Sequence, residues 1–313
     1  MRERGDPEPR AQSLNSRLRG NERKEPSLPA EFAPAKVNLT LHVLGRRADG
    51  YHEIESLVVF ADIGDRLTFL PGAALALDVG GPTAEAAGAA ADNLVLKAAR
   101  ALAERVEGLR LGRFTLEKRL PVAAGLGGGS SDAAAALRLL ARENGLALDD
   151  ARLLAAAQAT GADVPVCVDP RPRMMRGIGE LLSDPLVLPA LPAVLVNPGV
   201  AVPTRDVFAA LAAPPLSSSG QSEDFLTIDA DAAALVSILS ARRNDLEAPA
   251  IKLQAIIADV LVALQDSGCL LARMSGSGAT CFGLFGSAAT AAEVAQRMRV
   301  VHPQWWIEAT RFG

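Results

Sequence analysis

The chain has 313 residues, 49% of them apolar and 22% charged, and its 32 Lys and Arg against 36 Asp and Glu leave a formal charge of −4. That is the composition of a globular protein long enough for two domains, without the basic excess a nucleic-acid binder uses against phosphate. Its apolar stretches, such as 186–196, are short and broken by proline, so no membrane span is expected. Cys167, Cys269 and Cys281 form no CxxC pair and no even framework, which suggests free thiols in a reducing cytoplasm. The three histidines form no metal-binding pattern.

Residues 1–30 hold seven basic and five acidic side chains, no aromatic and little periodicity, and are expected to be a disordered arm rather than a secretory signal. From Lys36 the pattern alternates, with Val37, Leu39, Leu41 and Val43 on one face and Lys36, Asn38, Thr40 and His42 on the other. The turn signal Asp49-Gly50 makes 36–70 a hairpin-rich sheet. A helix is predicted over 92–107, a strand over 113–120, a helix after the glycines at 125–129, another over 149–161, and a short apolar strand at VPVCV (164–168). The Pro, Gly and Ser content of 170–220 reads as a domain joint with a surface loop at 214–224. Helices at 229–240, 249–266 and 287–299 and strands at LARM and TCFGLF complete the chain. Elements that mix without regular βα alternation favour two α+β lobes over a doubly wound sheet.

The stretch PVAAGLGGGSSDAAAAL (121–137) carries the most chemistry. Glycines 125, 127, 128 and 129 lie between a predicted strand and a helix opening at Ser130, Ser131 and Asp132. Unpaired amides and partial positive charge at a helix start, cleared of side chains by glycine, suit a polyphosphate. Neither GxxxxGK[ST] nor GxGxxG fits, and Ser130 and Ser131 could equally cap the helix or bind a nucleotide-associated magnesium.

This loop, FAPAKVNLTLHV (32–43) and ARMSGSGATCFGLF (272–285) resemble, in order, the three motifs of the GHMP kinases. LGRRADGYHEIES (44–56), GADVPV (161–166) and GIGE (177–180) sharpen the match to members that phosphorylate the 2-hydroxyl of a CDP-linked methylerythritol in non-mevalonate isoprenoid biosynthesis. Ala123-Ala124, where two glycines are common, and MMRGIGE depart from the usual pattern.

The resemblance implies an ATP-dependent, magnesium-requiring kinase of two-lobed α+β GHMP-kinase-like fold. Its N-terminal lobe (31–180) would be like ribosomal protein S5 domain 2 and its C-terminal lobe (181–313) ferredoxin-like. It implies Asp163 as general base and Lys36 as its catalytic partner, holding Asp163 ionised and polarising the acceptor. ATP would lie on Pro121, Val122, Ala123, Ala124, Gly125, Leu126, Gly127, Gly128, Gly129, Ser130 and Ser131, with Asp92-Asn93-Leu94 near the adenine and magnesium near Ser130 or Ser131. Asn38 would orient the acceptor, Tyr51 and Phe208 would sandwich the cytosine, and His52 would contact its edge. Thr204, Ser275, Gly276, Ser277 and Gly278 would complete the substrate site. The expected partners are small molecules only, with no nucleic acid or membrane, and the expected state is a cytoplasmic monomer or weak dimer.

Overall fold

The computed structural model describes Met1 and residues 28–87, 92–216 and 231–313. Most of the predicted arm and of the 214–224 loop therefore lies outside the described residues. In chain order the first half contains β1 (Ala30–Asn38), β2 (His42–Arg46), β3 (His52–Pro71), β4 (Ala76–Gly80), α1 (Leu94–Ala103), β5 (Gly112–Glu117), α2 (Gly128–Asn144), α3 (Ala151–Thr160), α4 (Val164–Val168), β6 (Arg173–Gly177) and β7 (Leu181–Leu182). The second half contains β8 (Leu191–Asn197), α5 (Thr204–Leu211), α6 (Ala232–Ser240), α7 (Glu247–Leu253), α8 (Ile256–Asp266), β9 (Leu271–Met274), β10 (Cys281–Leu284), α9 (Ala288–Val301) and β11 (Trp306–Phe312).

The 20-residue β3 is the spine of the sheet. Its start pairs antiparallel with β2 and β6 and its end with β1 and β5, while β4 runs parallel to β5. A single pair, Phe312 with Ala61, joins β3 to β11, and the order continues through β8 and β10 to β9. Helices α1 to α4 cover the first part around Phe69, Phe114, Leu102, Leu137 and Leu139. Helices α7, α8 and α9 cover the second around Val194, Val196, Leu264, Met274 and Val294. A third core joins Val37, Leu39 and Val59 to Leu195, Leu235, Phe282 and Phe312 across the two parts. Each such fully buried Leu or Phe contributes about 1.5–3 kcal/mol.

Several elements differ from the sequence expectation. VPVCV is the helix α4, not a strand: Pro165 in the first turn has the φ a helix start needs and no N–H to lose, and five apolar residues carry no discriminating period. The predicted strand through 36–43 breaks at Leu39–Leu41, where Thr40 Oγ1 accepts the N–H of Leu57 and the N–H of Leu41 turns to Arg243 O. The helix predicted over 249–266 is two, separated where Gln254 is extended (φ −141°, ψ 89°). Helix α1 stops at Ala103 rather than 107. Strands β8 and β11, central to the second part, were not expected from the sequence.

Candidate active site

Strand β1 holds Pro34, which cannot donate to the ladder, and its register on β3 shifts between Pro34 and Lys36. Beyond that irregularity the N–H of Lys36 bonds Leu126 O at 2.8 Å, so the first motif is tied directly to the glycine loop. The Lys36 stem lies along Gly127, where an added Cβ would come within 3.1 Å of Lys36 Cβ and 3.2 Å of Cε. Its ammonium meets Asp163 Oδ2 at 2.9 Å. Asp163 stands at the N-cap of α4 yet makes no capping bond, unlike Asp150 and Asn93, which cap α3 and α1. The carboxylate that would ordinarily satisfy a helix amide therefore points into the cleft. Lys36 is nearly buried, while Asp163 is 39% exposed and open to a ligand.

The glycine loop enters α2 two residues earlier than expected, with Gly127 in the left-handed region (φ 59°) as N-cap. Neither Ser130 nor Ser131 is the N-cap, and the helix has no side-chain cap. Residues Pro121 to Gly125 and Gly127 to Ser130 line a cleft of about 1090 Å³, whereas Leu126 and Ser131 turn into the core. Asp92, Asn93 and Leu94 face the same cleft. Ala123, one of the two departures from glycine, holds φ 52°. The loop thus presents a helix N-terminus and bare backbone to the cleft, the arrangement that receives phosphate.

The third motif closes on the second. Gly125 has φ 75°, and a Cβ there would collide with Ser275 O and come within 2.9 Å of Gly278 O. Ser275 Oγ donates to Gly125 O at 2.8 Å and accepts the N–H of Asn38 at 3.1 Å, so it staples all three motifs from behind. Gly276 and Ser277 line the cleft, while Ser275 and Gly278 do not. Ser277 Oγ and Thr204 Oγ1 are 2.9 Å apart, and Phe208, one turn along α5 from Thr204, also faces the cleft.

At the far end, the Asp49-Gly50 turn displays Tyr51, 60% exposed, with its N–H on Asp49 Oδ1. His52 stacks on Phe208, at 4.6 Å between centroids and 24° between planes, and Tyr51 lines the same cleft. Burial, and secondarily the charge of Arg46, hold the His52 imidazole pKa below its usual 6.5. Asn38 lines the cleft and donates to Ser56 Oγ at 2.7 Å.

Sequence reading missed Lys118 and Asp132, which line the cleft under the loop, and Asn244, whose amide donates to Met274 O and Gly276 O and shapes the third loop. Lys118 was detectable: in the predicted strand 113–120 the alternation of Phe114, Leu116 and Leu120 puts it on the apolar face, and it is buried just beyond the end of β5. Burial pushes the Asp132 carboxyl up to about 7, against the pull of Lys118. Among the described residues, no group of three or more His, Cys, Asp or Glu could hold a metal ion, and no helix is long and apolar enough to cross a membrane.

The family models for the GHMP kinases N terminal domain and the GHMP kinases C terminal match residues 93–169 and 229–302. A 4-diphosphocytidyl-2-C-methyl-D-erythritol kinase of Methylobacterium radiotolerans is 59% identical over 290 residues, 91% of this chain and 99% of that one. One of Xanthobacter autotrophicus is 59% identical over 283 residues, 89% of this chain and 97% of the other. A crystal structure of 4-(cytidine 5'-diphospho)-2C-methyl-D-erythritol kinase superposes with a TM-score of 0.70 at 36% identity, covering 91% of this chain and all of that one. The homoserine kinase of Cytophaga hutchinsonii, 19% identical with a TM-score of 0.64 over 96% of each chain, shares the fold. The fold is thus the mixed α+β, two-domain GHMP kinase fold, and the chain belongs to the 4-diphosphocytidyl-2-C-methyl-D-erythritol kinase family.

Proposed function

We propose that the chain transfers the γ-phosphoryl group of ATP to the 2-hydroxyl of 4-diphosphocytidyl-2-C-methyl-D-erythritol, giving the 2-phosphate and ADP in the non-mevalonate route to isoprenoids. The observation that carries the reading is the Lys36–Asp163 pair, 2.9 Å apart, in a cleft that runs from the glycine loop to the His52–Phe208 stack. At about 1090 Å³ the cleft lies just above the roughly 300–1,000 Å³ of a single ligand site, in keeping with two ligands meeting inside it.

Phosphoryl transfer asks mainly for alignment and for charge placed where the transition state needs it. Asp163 accepts the proton of the acceptor hydroxyl as its oxygen bonds to phosphorus and the bond to ADP breaks. Lys36 fixes the direction of that carboxylate and faces the transferring group with its positive charge. Asn38 orients the acceptor. The amides of the 121–131 loop hold the phosphates, with Leu126 and Ser131 supporting it from the core. Ser130, which lines the cleft, rather than buried Ser131, would contact a magnesium ion arriving with ATP, which would there supply positive charge to the phosphates. Cytosine enters beside Tyr51, His52 and Phe208, with Thr204, Gly276 and Ser277 along its path and Ser275 and Gly278 shaping the loop. We divide the chain into an arm (1–30) and lobes at 31–180 and 181–313, and read it as a cytoplasmic monomer or weak dimer.

The test is ADP release with magnesium-ATP and the cytidyl acceptor, beside mevalonate, homoserine and galactose. Turnover on the cytidyl acceptor alone is expected. Turnover on another acceptor would overturn the substrate, and none on any would overturn the transfer itself.

A further inference from the structure

Beneath the first turn of α2 lies a charged cluster that the transfer does not use. Lys118 Nζ is 2.8 Å from Asp132 Oδ2 and also in contact with Asp65 Oδ2, and all three side chains are at most 5% exposed. Asp65 Oδ1 accepts the backbone N–H of Arg119 at 2.5 Å and of Leu120 at 2.9 Å. One carboxylate therefore grips the chain as it enters the glycine loop, and the ammonium it holds grips the helix that leaves the loop. The loop's exit is directly above: a Cβ on Gly128 would lie 3.6 Å from Lys118 Nζ and 3.7 Å from Asp65 Oδ2.

Two buried carboxylates share one ammonium here, and Asp132 Oδ1 finds no partner among the described residues. Buried ion pairs are often no more stabilising than apolar side chains of similar volume. Its distinguishing property is geometric, because ionic hydrogen bonds are directional and fix distances that apolar packing leaves loose. Lys118 and Asp132 line the cleft, whereas Asp65 is fully buried and does not.

We propose that Asp65 is a positioning residue for ATP: through Lys118, Asp132 and the amides of Arg119 and Leu120 it sets the separation of the two ends of the glycine loop and so the aim of the amides at Gly128 to Ser130. This rests on reading the loop as the phosphate site of ATP. Because Asp65 is fully buried behind the cleft wall, its effect on ATP is separable from direct contact.

The experiment compares wild type with Asp65→Asn, which keeps the volume and an oxygen for the two amides but removes the charge that holds Lys118. Affinity for a non-hydrolysable ATP analogue is measured by calorimetry, beside KM for ATP, KM for the cytidyl acceptor and thermal unfolding. Analogue affinity and ATP KM should each worsen roughly tenfold, the scale of one charged hydrogen bond, with the acceptor KM unchanged. A lower unfolding temperature with unchanged ATP affinity would overturn the proposal and leave the cluster a fold element. Should the variant fail to fold, amide exchange on wild type decides. Arg119 and Leu120 should be protected before the analogue is added, and fast exchange there would refute the latch. Failure of wild type to bind the analogue would overturn the phosphate reading and this proposal with it, whereas selective loss in Asp65→Asn cannot arise from a wrong acceptor.

Discussion

Gly129→Ala separates the phosphate cradle from a plain packing turn, because the two readings predict opposite net outcomes. Gly129 is the second residue of α2, and among the described residues an added Cβ would meet only Leu94 Cδ1, at 3.4 Å. In a helix interior Ala is favoured over Gly by up to about 1 kcal/mol, so near the helix start a gain of about 0.5 kcal/mol is expected. For a chain of this size that corresponds to roughly 1–2 °C in unfolding temperature. The rest of the methyl stands in the cleft, where it would hold a phosphate oxygen off the exposed amides. Losing one hydrogen bond to a charged group costs about 1.5–3 kcal/mol, which is ~10–100-fold in ATP KM. Chemical denaturation and steady-state kinetics with ATP varied at saturating acceptor read both effects on one sample. A variant that is slightly more stable and much weaker for ATP is the expected result. A stabilised variant with unchanged ATP KM would refute the cradle at Gly129, and a destabilised one with unchanged ATP KM would make the glycine a packing requirement. Gly125→Ala is the contrast: at φ 75° and against the backbone of Ser275 and Gly278, it should destabilise by more than the ~1–2 kcal/mol of a left-handed alanine, and damage all three motifs together.

Asp163→Asn keeps the shape of the pair but cannot take the acceptor's proton, so kcat should fall by ~10²–10⁴ with both KM values little changed. Wild-type kcat would remove Asp163 as base. Phe208→Ala deletes the ring on which His52 stacks, and base stacking of about 1–3 kcal/mol predicts ~5–100-fold in acceptor KM with ATP KM unmoved; Tyr51→Ala, at the exposed tip, should act in the same direction. Titration of acceptor affinity by calorimetry checks both, and an effect on ATP instead would relocate the cytosine end. Asp132 titrates near 3.8 when unfolded and is raised to about 7 in the fold, so the native state holds the extra proton between those values. Its stabilising contribution is complete below about pH 4 and is lost as pH rises through about 7. Relative to Asp132→Asn, wild type should therefore lose stability from pH 4 to 7 in denaturant titrations, and a flat or rising difference would contradict that sign.

What the sequence made legible follows from how local each signal is. Motif residues whose role is carried by their own backbone, the glycines of 121–131 and the Asp49-Gly50 turn, were readable because φ and turn type are written in one or two residues. The meeting of Lys36 with Asp163 was available only through resemblance, since nothing in either segment points to a partner more than a hundred residues away. VPVCV misled for a physical reason: a short run buried on every side has no polar face to reveal its period, and only Pro165 and the preceding Asp163 hinted at a helix start. The 170–220 region misled for another, because prolines at its edges masked β8, whose buried Val194 and Val196 pair with neighbours from the far end of the chain. Asp65 lay in the same blind spot from the opposite side. It occupies the buried register of β3 with Leu67 and Phe69, and a charge on an apolar register means either an error in the assignment or a partner elsewhere. Lys118, the residue just after β5, continues the apolar register of Phe114 and Leu116 in the same way, and the two departures have opposite sign on β3 and at the end of the strand that pairs with it. Two opposite charges misplaced on neighbouring apolar faces are thus themselves a sequence-level sign of a buried contact, and here that contact lies under the loop on which ATP is read to bind.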